Sequence, residues 1–228
     1  MTVVTLTTKA VVAVHPQKKK RALEHWNNAY LNSPDEKLGW YESFPEETIC
    51  LVEKCNLSPD SLILNVSAGT TTLIEFLLLM GYKNIIVTDT SDASLEKLKQ
   101  RPGYEKDKIK WIVDDLTLPT VLNQIEPVDL WIDRAVLHFF TRPQETDFYF
   151  ELVGNKIKKG GFAIFAEYHL NGATKCTGLP VHGYSTEMLA GSLGMILSFL
   201  VVSIIYFLCP FPEKVILQGI FLFKILQN

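Results

Sequence analysis

The chain lacks the cysteine patterns that mark metal sites or disulfide frameworks. Its 228 residues contain four cysteines, with no Cys-x-x-Cys pair and no Cys/His ligand spacing: Cys50, Cys55, Cys176 and Cys209. Structural zinc sites and small disulfide-linked folds need closer and more regular spacings than these. We therefore predict free thiols, no bound metal and a reducing, cytoplasmic location.

An excess of basic charge is also missing. Lysine and arginine number 22 against 25 acidic residues, which gives a formal net charge of -3. Because nucleic acid is bound through clustered basic side chains, this balance argues against nucleic acid as a partner. Residues 1–23 differ, since they contain no acid and include the run Lys18–Arg21. We interpret 1–20 as a flexible tail, with an organelle or nuclear address as the alternative, and 21–228 as a single domain.

No apolar run is both long and uninterrupted enough to favour a membrane span. Met195–Phe211 has 17 residues, the lower limit for a helix that crosses a bilayer, and Pro210 interrupts its end. It is rich in valine and isoleucine, and a second apolar run, Val215–Leu226, follows a Pro-Glu-Lys turn. We predict that the two runs form a buried antiparallel hairpin, with no membrane partner. A transmembrane helix is the alternative.

The strongest local pattern runs from Ser61 to Asp89. Ser61–Val66 reads as a strand buried on both faces, and small residues follow it up to Gly69. Leu73–Met80 reads as a helix that ends at a glycine, and a second buried strand ends at Asp89. Strand, small-residue turn, helix, strand and acid is the order of a nucleotide-binding βαβ unit, in which the acid binds the ribose hydroxyls.

Glycine is scarcer in this turn than the dinucleotide fingerprint requires. The three glycine positions of that fingerprint hold Ser67, Gly69 and Thr72, although Gly69 and Asp89 have the expected separation of 20 residues. An ordinary parallel-sheet turn followed by a surface acid is the alternative interpretation.

Strands and helices alternate along the rest of the chain, which predicts an α/β fold with a mostly parallel sheet. Acids follow the third and fourth predicted strands, where a parallel sheet binds its ligands. The predicted helices are Lys20–Leu31, Glu46–Cys55, Asp92–Arg101 with Ser91 as N-cap, a helix from Thr141 as N-cap to Ile157, and Ser185–Leu193; the further strands are Ile109–Val113, Val128–Ile132 and Phe162–Tyr168.

Two ligand classes fit the βαβ unit. Tyr104 and Lys108 have the Tyr-x-x-x-Lys spacing of a short-chain dehydrogenase, but they precede the third strand, whereas that pair belongs after the fourth. S-adenosylmethionine fits better. A site for this ligand requires a helix before the first strand, a small-residue turn, and acids after the second and third strands. It also requires a polar residue after the fourth strand and a terminal antiparallel hairpin. The sequence contains all of these features in this order.

The motifs resemble those of class I S-adenosylmethionine-dependent methyltransferases, in particular a bacterial branch that looks related to eukaryotic lysine methyltransferases. The resemblance covers about residues 24–194. It rests on these segments: His25-Trp26 with Tyr30, Gly39–Glu42, Asn65–Gly69, Val128–Phe139 and Cys176–Val181. It implies a single Rossmann-like domain with a mostly parallel seven-stranded sheet and an antiparallel C-terminal hairpin. Asn65 and Ser67 depart from the family, which has an acid and a glycine there.

The resemblance also implies a role for each site residue. Rings at the N-terminal end would line the methionine end of the cofactor, acids at the strand ends would bind its polar groups, and the loop after the fifth strand would face the acceptor. The implied cofactor residues are Trp26, Tyr30, Tyr41, Ser67, Gly69, Asp89, Thr90, Asp114, Asp115, Leu116 and Asp133, and the implied acceptor residues are Cys176, Leu179, Pro180 and His138.

Methyl transfer from a sulfonium depends mainly on positioning and desolvation, so few catalytic side chains are expected. If the acceptor is an amine or a hydroxyl, His138 is the candidate base, since imidazole titrates near neutrality. A packed, structural His138 is the alternative. We reject Cys176 as a nucleophile, because the sequence shows no histidine and acid arranged around it. Three functions stay open: a small-molecule methyltransferase, a protein lysine methyltransferase and a non-catalytic cofactor-binding module.

Overall fold

A computed structural model describes the backbone of residues 16–101, 109–193, 197–208 and 215–225, and the side chains of 20–101, 109–193 and 219–225. Several sequence predictions lie outside these residues: most of the basic tail, Tyr104, Lys108, Cys209 and Pro210. The helices are α1 (Pro16–Asn32), α2 (Glu46–Lys54), α3 (Leu73–Leu79), α4 (Asp92–Gln100), α5 (Pro143–Lys156) and α6 (Thr186–Leu193). The strands are β1 (Leu62–Val66), β2 (Asn84–Asp89), β3 (Ile109–Val113), β4 (Val128–Arg134), β5 (Ile157–Tyr168), β6 (Lys175–Cys176), β7 (Leu179–Pro180), β8 (Leu197–Leu208) and β9 (Val215–Ile225).

Seven of these strands form one twisted sheet in the order β3-β2-β1-β4-β5-β9-β8. Strands β1 to β5 pair in parallel, whereas β9 runs antiparallel to both β5 and β8. The predicted α/β class, the mostly parallel sheet and the antiparallel C-terminal hairpin are therefore confirmed. Two apolar clusters, one on each face of the sheet, make up the core. The central strands are almost continuously apolar because both of their faces are buried against these clusters.

Local signals place most element boundaries correctly. The Ser91 hydroxyl caps α4 by accepting the backbone N–H of Ser94 at 3.1 Å. Helix α3 ends before Gly81, which has a φ of +91°. Among the described residues, no helix is both long and apolar enough to cross a membrane.

Three predictions at other boundaries are wrong. Strand β5 begins at Ile157, directly after α5, and not at the predicted Phe162. Thr141 does not cap α5, because the residue before the helix is Arg142 and its side chain makes no capping bond; Pro143 fills the first turn instead. The segment 175–180, predicted as a loop, is a short hairpin in which Cys176 pairs with Leu179. Its two turn residues, Thr177 and Gly178, have φ values of +49° and +81°, the left-handed pair typical of a two-residue β-turn.

Candidate active site

A cavity of about 1040 Å³ opens where the parallel strands end. Residues that follow β1, β2, β3 and β4 form its floor, and α1 with the segment 37–40 covers it from the other side. Because the loops after parallel strands meet at one edge of the sheet, this is where an open α/β fold places its ligand. The volume is at the upper end of the range that small-molecule sites occupy.

The turn after β1 is tied to the acid that ends β2. The Gly69 backbone N–H donates to Asp89 Oδ2 at 2.7 Å, and the Ser91 N–H donates to Oδ1 at 2.7 Å. Burial raises the pKa of Asp89 to about 6, although these hydrogen bonds act in the opposite direction. The carboxylate is thus held at the cavity edge by the turn after β1 and by the segment that follows β2.

The turn has the backbone shape of a glycine turn even where glycine is absent. Ser67 adopts a φ of +42° and Gly69 a φ of +57°, both in the left-handed region. Ser67, in the position where the resemblance implies a glycine, therefore keeps a glycine-like conformation and lines the cavity.

Gly69 is also required by a close contact. A Cβ added to it would lie 2.3 Å from the hydroxyl oxygen of Tyr30, which reaches down from α1. Burial and the nearby Asp89 carboxylate raise the pKa of Tyr30 well above its usual range. Gly69 of the turn, the Asp89 carboxylate and Tyr30 of α1 therefore lie close together.

Aromatic rings form the cover. The ring centroid of Trp26 lies 5.0 Å from that of Phe139 and 5.8 Å from that of Trp40, and the Tyr30 and Trp40 centroids are 5.9 Å apart, all edge to face. These four side chains line the cavity and present apolar surface to it. Tyr41 instead lines a smaller adjoining cavity, together with Trp40 and Ser67.

The two acids after β3 have different surroundings. The Asp114 carboxylate accepts the backbone N–H groups of Thr120, Val121 and Leu122 at 2.8–3.0 Å. It therefore stabilises the loop 114–122 and does not line the cavity. Asp115 and the following Leu116 do line it.

The acid at the end of β4 points away from the cavity. Asp133 is fully buried and accepts a short hydrogen bond from the Tyr149 hydroxyl of α5. Burial and the neighbouring Glu167 carboxyl raise the pKa of Asp133 well above its usual range. Arg134, the next residue, lines the cavity and forms an ion pair with Glu42. Because successive residues of a strand face opposite sides of the sheet, Arg134 faces the cavity and Asp133 does not.

His138 lies behind the cavity wall rather than in it. Its Nδ1 is 2.6 Å from Glu167 Oε2, and both side chains are fully buried. Burial lowers the pKa of His138 and raises that of Glu167 to about 7. The Glu167 carboxylate also accepts backbone N–H groups from 136 to 138 at 3.0–3.4 Å. Sequence reasoning missed Glu167, which reads as one residue of a buried strand.

The structure thus brings most of the predicted site residues together. Ten line the cavity: Trp26, Tyr30, Ser67, Asp89, Thr90, Asp115, Leu116, Cys176, Leu179 and Pro180. Five do not line it: Tyr41, Gly69, Asp114, Asp133 and His138. The sequence analysis did not select Arg134, Glu42, Trp40 or Glu167. Within the described residues no group of three or more His, Cys, Asp or Glu side chains is placed to hold a metal ion.

Comparison with solved structures shows the fold. A methyltransferase from Anabaena variabilis, described as SAM-dependent, superposes with a TM-score of 0.73 at 13% identity, over 91% of this chain and 95% of that one. The 1,6-didemethyltoxoflavin-N1-methyltransferase of Burkholderia thailandensis, solved with its substrate and S-adenosylhomocysteine, gives 0.70 at 12% identity over 96% and 94%. The N-methyltransferase NodS of Bradyrhizobium japonicum gives 0.64 at 15% identity over 92% and 99%.

Sequence comparison gives a weaker likeness. No protein-family model matches the chain. The eEF1A lysine and N-terminal methyltransferases of Mus musculus and Bos taurus are 23% identical to it over 100 residues, which is 44% of this chain. The match spans 14% of the length of those relatives. The superpositions show that the chain has the fold of the SAM-dependent methyltransferases. Its activity has to be inferred from the residues of the cavity.

Proposed function

We propose that this chain is an S-adenosylmethionine-dependent methyltransferase that acts on a small-molecule or protein acceptor. The arrangement that carries the proposal is the Asp89 carboxylate at the end of β2, hydrogen-bonded to the Gly69 N–H of the turn after β1 and set under an aromatic cover. A buried acid in this position suits a ribose with two free hydroxyls.

The residues around the cavity match the other parts of the cofactor. The Asp115 carboxylate and the Leu116 side chain suit the amine and the flat face of an adenine. Arg134 and Glu42 form an ion pair beside the turn, and a zwitterionic amino acid carries one complementary group for each. The rings of Trp26 and its neighbours suit a sulfonium, because the face of an aromatic ring attracts a cation.

When bound, S-adenosylmethionine supplies a methyl carbon activated by the positive sulfur. The protein contributes positioning and exclusion of water. Tyr30 closes the cavity from α1, and α1 is itself fixed to the sheet edge by the Asn27 side chain, which accepts from the Ser91 hydroxyl at 2.6 Å and donates to Asp92 at 2.9 Å.

The acceptor would enter beside the hairpin 175–180. Cys176, Leu179 and Pro180 line this end together with Phe139 and Tyr168, so it presents apolar and aromatic surface. Both acceptor classes have support: the superposed toxoflavin enzyme acts on a small molecule, and the sequence relatives are protein methyltransferases. If the acceptor releases a proton, His138, the base predicted from the sequence, would accept it only through a side chain of the cavity wall, because it is fully buried behind that wall.

Methyl transfer to a bacterial extract tests the proposal and separates its alternatives. The full chain is incubated with S-adenosylmethionine labelled in the methyl group and with an extract divided by a size filter, and Asp89→Asn serves as the control. Label in a low-mass product that chromatography separates from unreacted S-adenosylmethionine indicates a small-molecule acceptor, and label in the protein fraction a protein acceptor. Binding of the labelled cofactor without transfer to either fraction would indicate a non-catalytic module and would contradict the proposed activity.

A further inference from the structure

The segment that holds Cys176 is fixed beside His138. The hairpin 175–180 is closed by the Val181 N–H, which donates to the Thr174 carbonyl at 3.1 Å, and the next residue, His182, donates its N–H to the His138 carbonyl at 2.8 Å. On the other side, His25 Nε2 lies 3.3 Å from the Thr177 hydroxyl. Cys176 is therefore positioned by backbone contacts at the cavity wall, where its side chain is partly exposed.

The imidazole behind it has one ring nitrogen free. The rings of Phe139 and Tyr168 pack against His138 at centroid distances of 4.4 and 4.5 Å and fix its orientation. We assign the proton on Nδ1 to the hydrogen bond with Glu167, because that carboxylate also accepts three backbone N–H groups. Nε2 then carries a lone pair, and it is buried and makes no hydrogen bond.

The Cys176 thiol interacts with this imidazole, and it acts to raise the pKa of His138, against the larger lowering by burial. A histidine that is neutral, oriented by a carboxylate and open at its second nitrogen is the form that accepts a proton from a nucleophile. The sequence shows no such partners beside Cys176, but the fold brings two of them to it: His138, 38 positions earlier in the chain, and Glu167, 9 positions earlier.

We propose that Glu167, His138 and Cys176 form a thiol-activating relay, and that Cys176 is a covalent modification site for soft carbon electrophiles that enter the cavity. In the reaction with an α-haloamide, the Sγ–H proton passes to His138 Nε2, the sulfur lone pair forms the new S–C bond, and the halide leaves with the electron pair of the C–halogen bond. Glu167 is a positioning residue, since it acts through the imidazole. The proposal is independent of methyl transfer.

Iodoacetamide, applied to the full chain at neutral pH, tests the relay. Mass spectrometry of the peptides gives a separate rate for each thiol. Cys50, which is exposed on α2, is the internal reference for an unassisted thiol, and Cys55, which is buried, reports loss of fold. We expect Cys176 to react about tenfold faster than Cys50 despite its lower exposure, a modest part of the ~10²-fold that a positioned base contributes.

Variants of the two partners complete the test. In His138→Gln and Glu167→Gln the Cys176 rate should fall to that of Cys50 or below, while the Cys50 rate stays the same and Cys55 stays protected. A Cys176 rate no higher than that of Cys50 in the unmodified protein would overturn the proposal, and this result needs no variant to fold. Fast alkylation that is unchanged in a folded His138→Gln protein would also overturn it.

Discussion

Replacing Gly69 with alanine tests the close packing of the turn after β1 against Tyr30 of α1. The structure predicts two separate penalties. A Cβ at this position would lie 2.3 Å from the Tyr30 hydroxyl oxygen and 3.1 Å from the ring carbon that carries it. The residue also has a φ of +57°, which an L-amino acid adopts only with strain.

The magnitude follows from these two terms. Left-handed backbone costs about 1–2 kcal/mol for a residue with a side chain, and forcing an extra methyl group into a packed contact costs about 1–3 kcal/mol. Alanine also restricts the unfolded chain, which returns about 0.4–1 kcal/mol. We therefore expect Gly69→Ala to lower the free energy of unfolding by about 2–4 kcal/mol.

A double-mutant cycle in urea separates the two terms. Gly81→Ala is the matched control, since Gly81 has a φ of +91° but no atom within 4 Å of an added Cβ; it should cost only the backbone term, about 1 kcal/mol. Tyr30→Phe removes the oxygen at 2.3 Å, so Gly69→Ala should cost about 1–2 kcal/mol less in that background than alone.

If Gly69→Ala and Gly81→Ala lower the free energy of unfolding equally, or if Tyr30→Phe leaves the cost of Gly69→Ala unchanged, the Tyr30 hydroxyl does not press on the turn in solution.

Three further predictions concern the same region. The pKa of Asp89 in the folded protein is about 6, above its ordinary 3.8, so the folded state holds this proton more tightly than the unfolded state. The unfolding free energy of the wild type relative to Asp89→Asn should therefore fall by about 2 kcal/mol from pH 4 to pH 6, as urea titrations at each pH would show. Ser67→Gly removes backbone strain of about 1–2 kcal/mol and adds a flexibility cost of about 0.4–1 kcal/mol. The free energy of unfolding in urea should therefore change by no more than about 1–2 kcal/mol, and the S-adenosylmethionine affinity measured by calorimetry by less than about tenfold (about 1.4 kcal/mol). A larger loss of stability or of affinity would contradict the glycine-like geometry. Ser91→Ala removes a helix cap and the bond to Asn27, so it should lower thermal or urea stability by about 1–2 kcal/mol. The control Ser43→Ala, at an exposed serine, should stay within about 0.5 kcal/mol. Equal effects would show that the cap contributes nothing.

The fold was accessible to sequence reasoning because its signals are local. Continuous apolar runs indicated strands buried on both faces. Ser91 marked the start of a helix because its hydroxyl caps the backbone, and Gly81 marked the end of one because glycine adopts positive φ. The separation of Gly69 and Asp89 was equally informative, since one helix and one strand fix the distance between the two strand ends. The hairpin β8–β9 followed from two apolar runs joined by a proline turn.

The parts of the site that were missed depend on which way a side chain faces. Asp133 and Arg134 both lie at the end of β4, and the burial of Asp133 against Tyr149 of α5 is decided by packing across the sheet. Asp114 and Asp115 differ for a similar reason, because the loop after β3 folds back onto the first of them.

The pair formed by His138 and Glu167 shows a second limit. The two residues are 29 positions apart, and they meet only because β4 and β5 are neighbours and the turn 137–139 crosses the end of β5. A buried glutamate within a strand gives no sequence pattern of its own. Its presence becomes interpretable once the structure shows a histidine that needs a partner.

The most direct test of the account is calorimetric titration of the full chain with S-adenosylmethionine, beside Asp89→Ala and with NADH as the control ligand. We expect micromolar binding of S-adenosylmethionine and no binding of NADH. The variant should lose about 10- to 100-fold in affinity, since a hydrogen bond to a charged group contributes about 1.5–3 kcal/mol. Failure of the unmodified protein to bind S-adenosylmethionine, or equal binding by Asp89→Ala, would contradict the assignment of this cavity as a cofactor site.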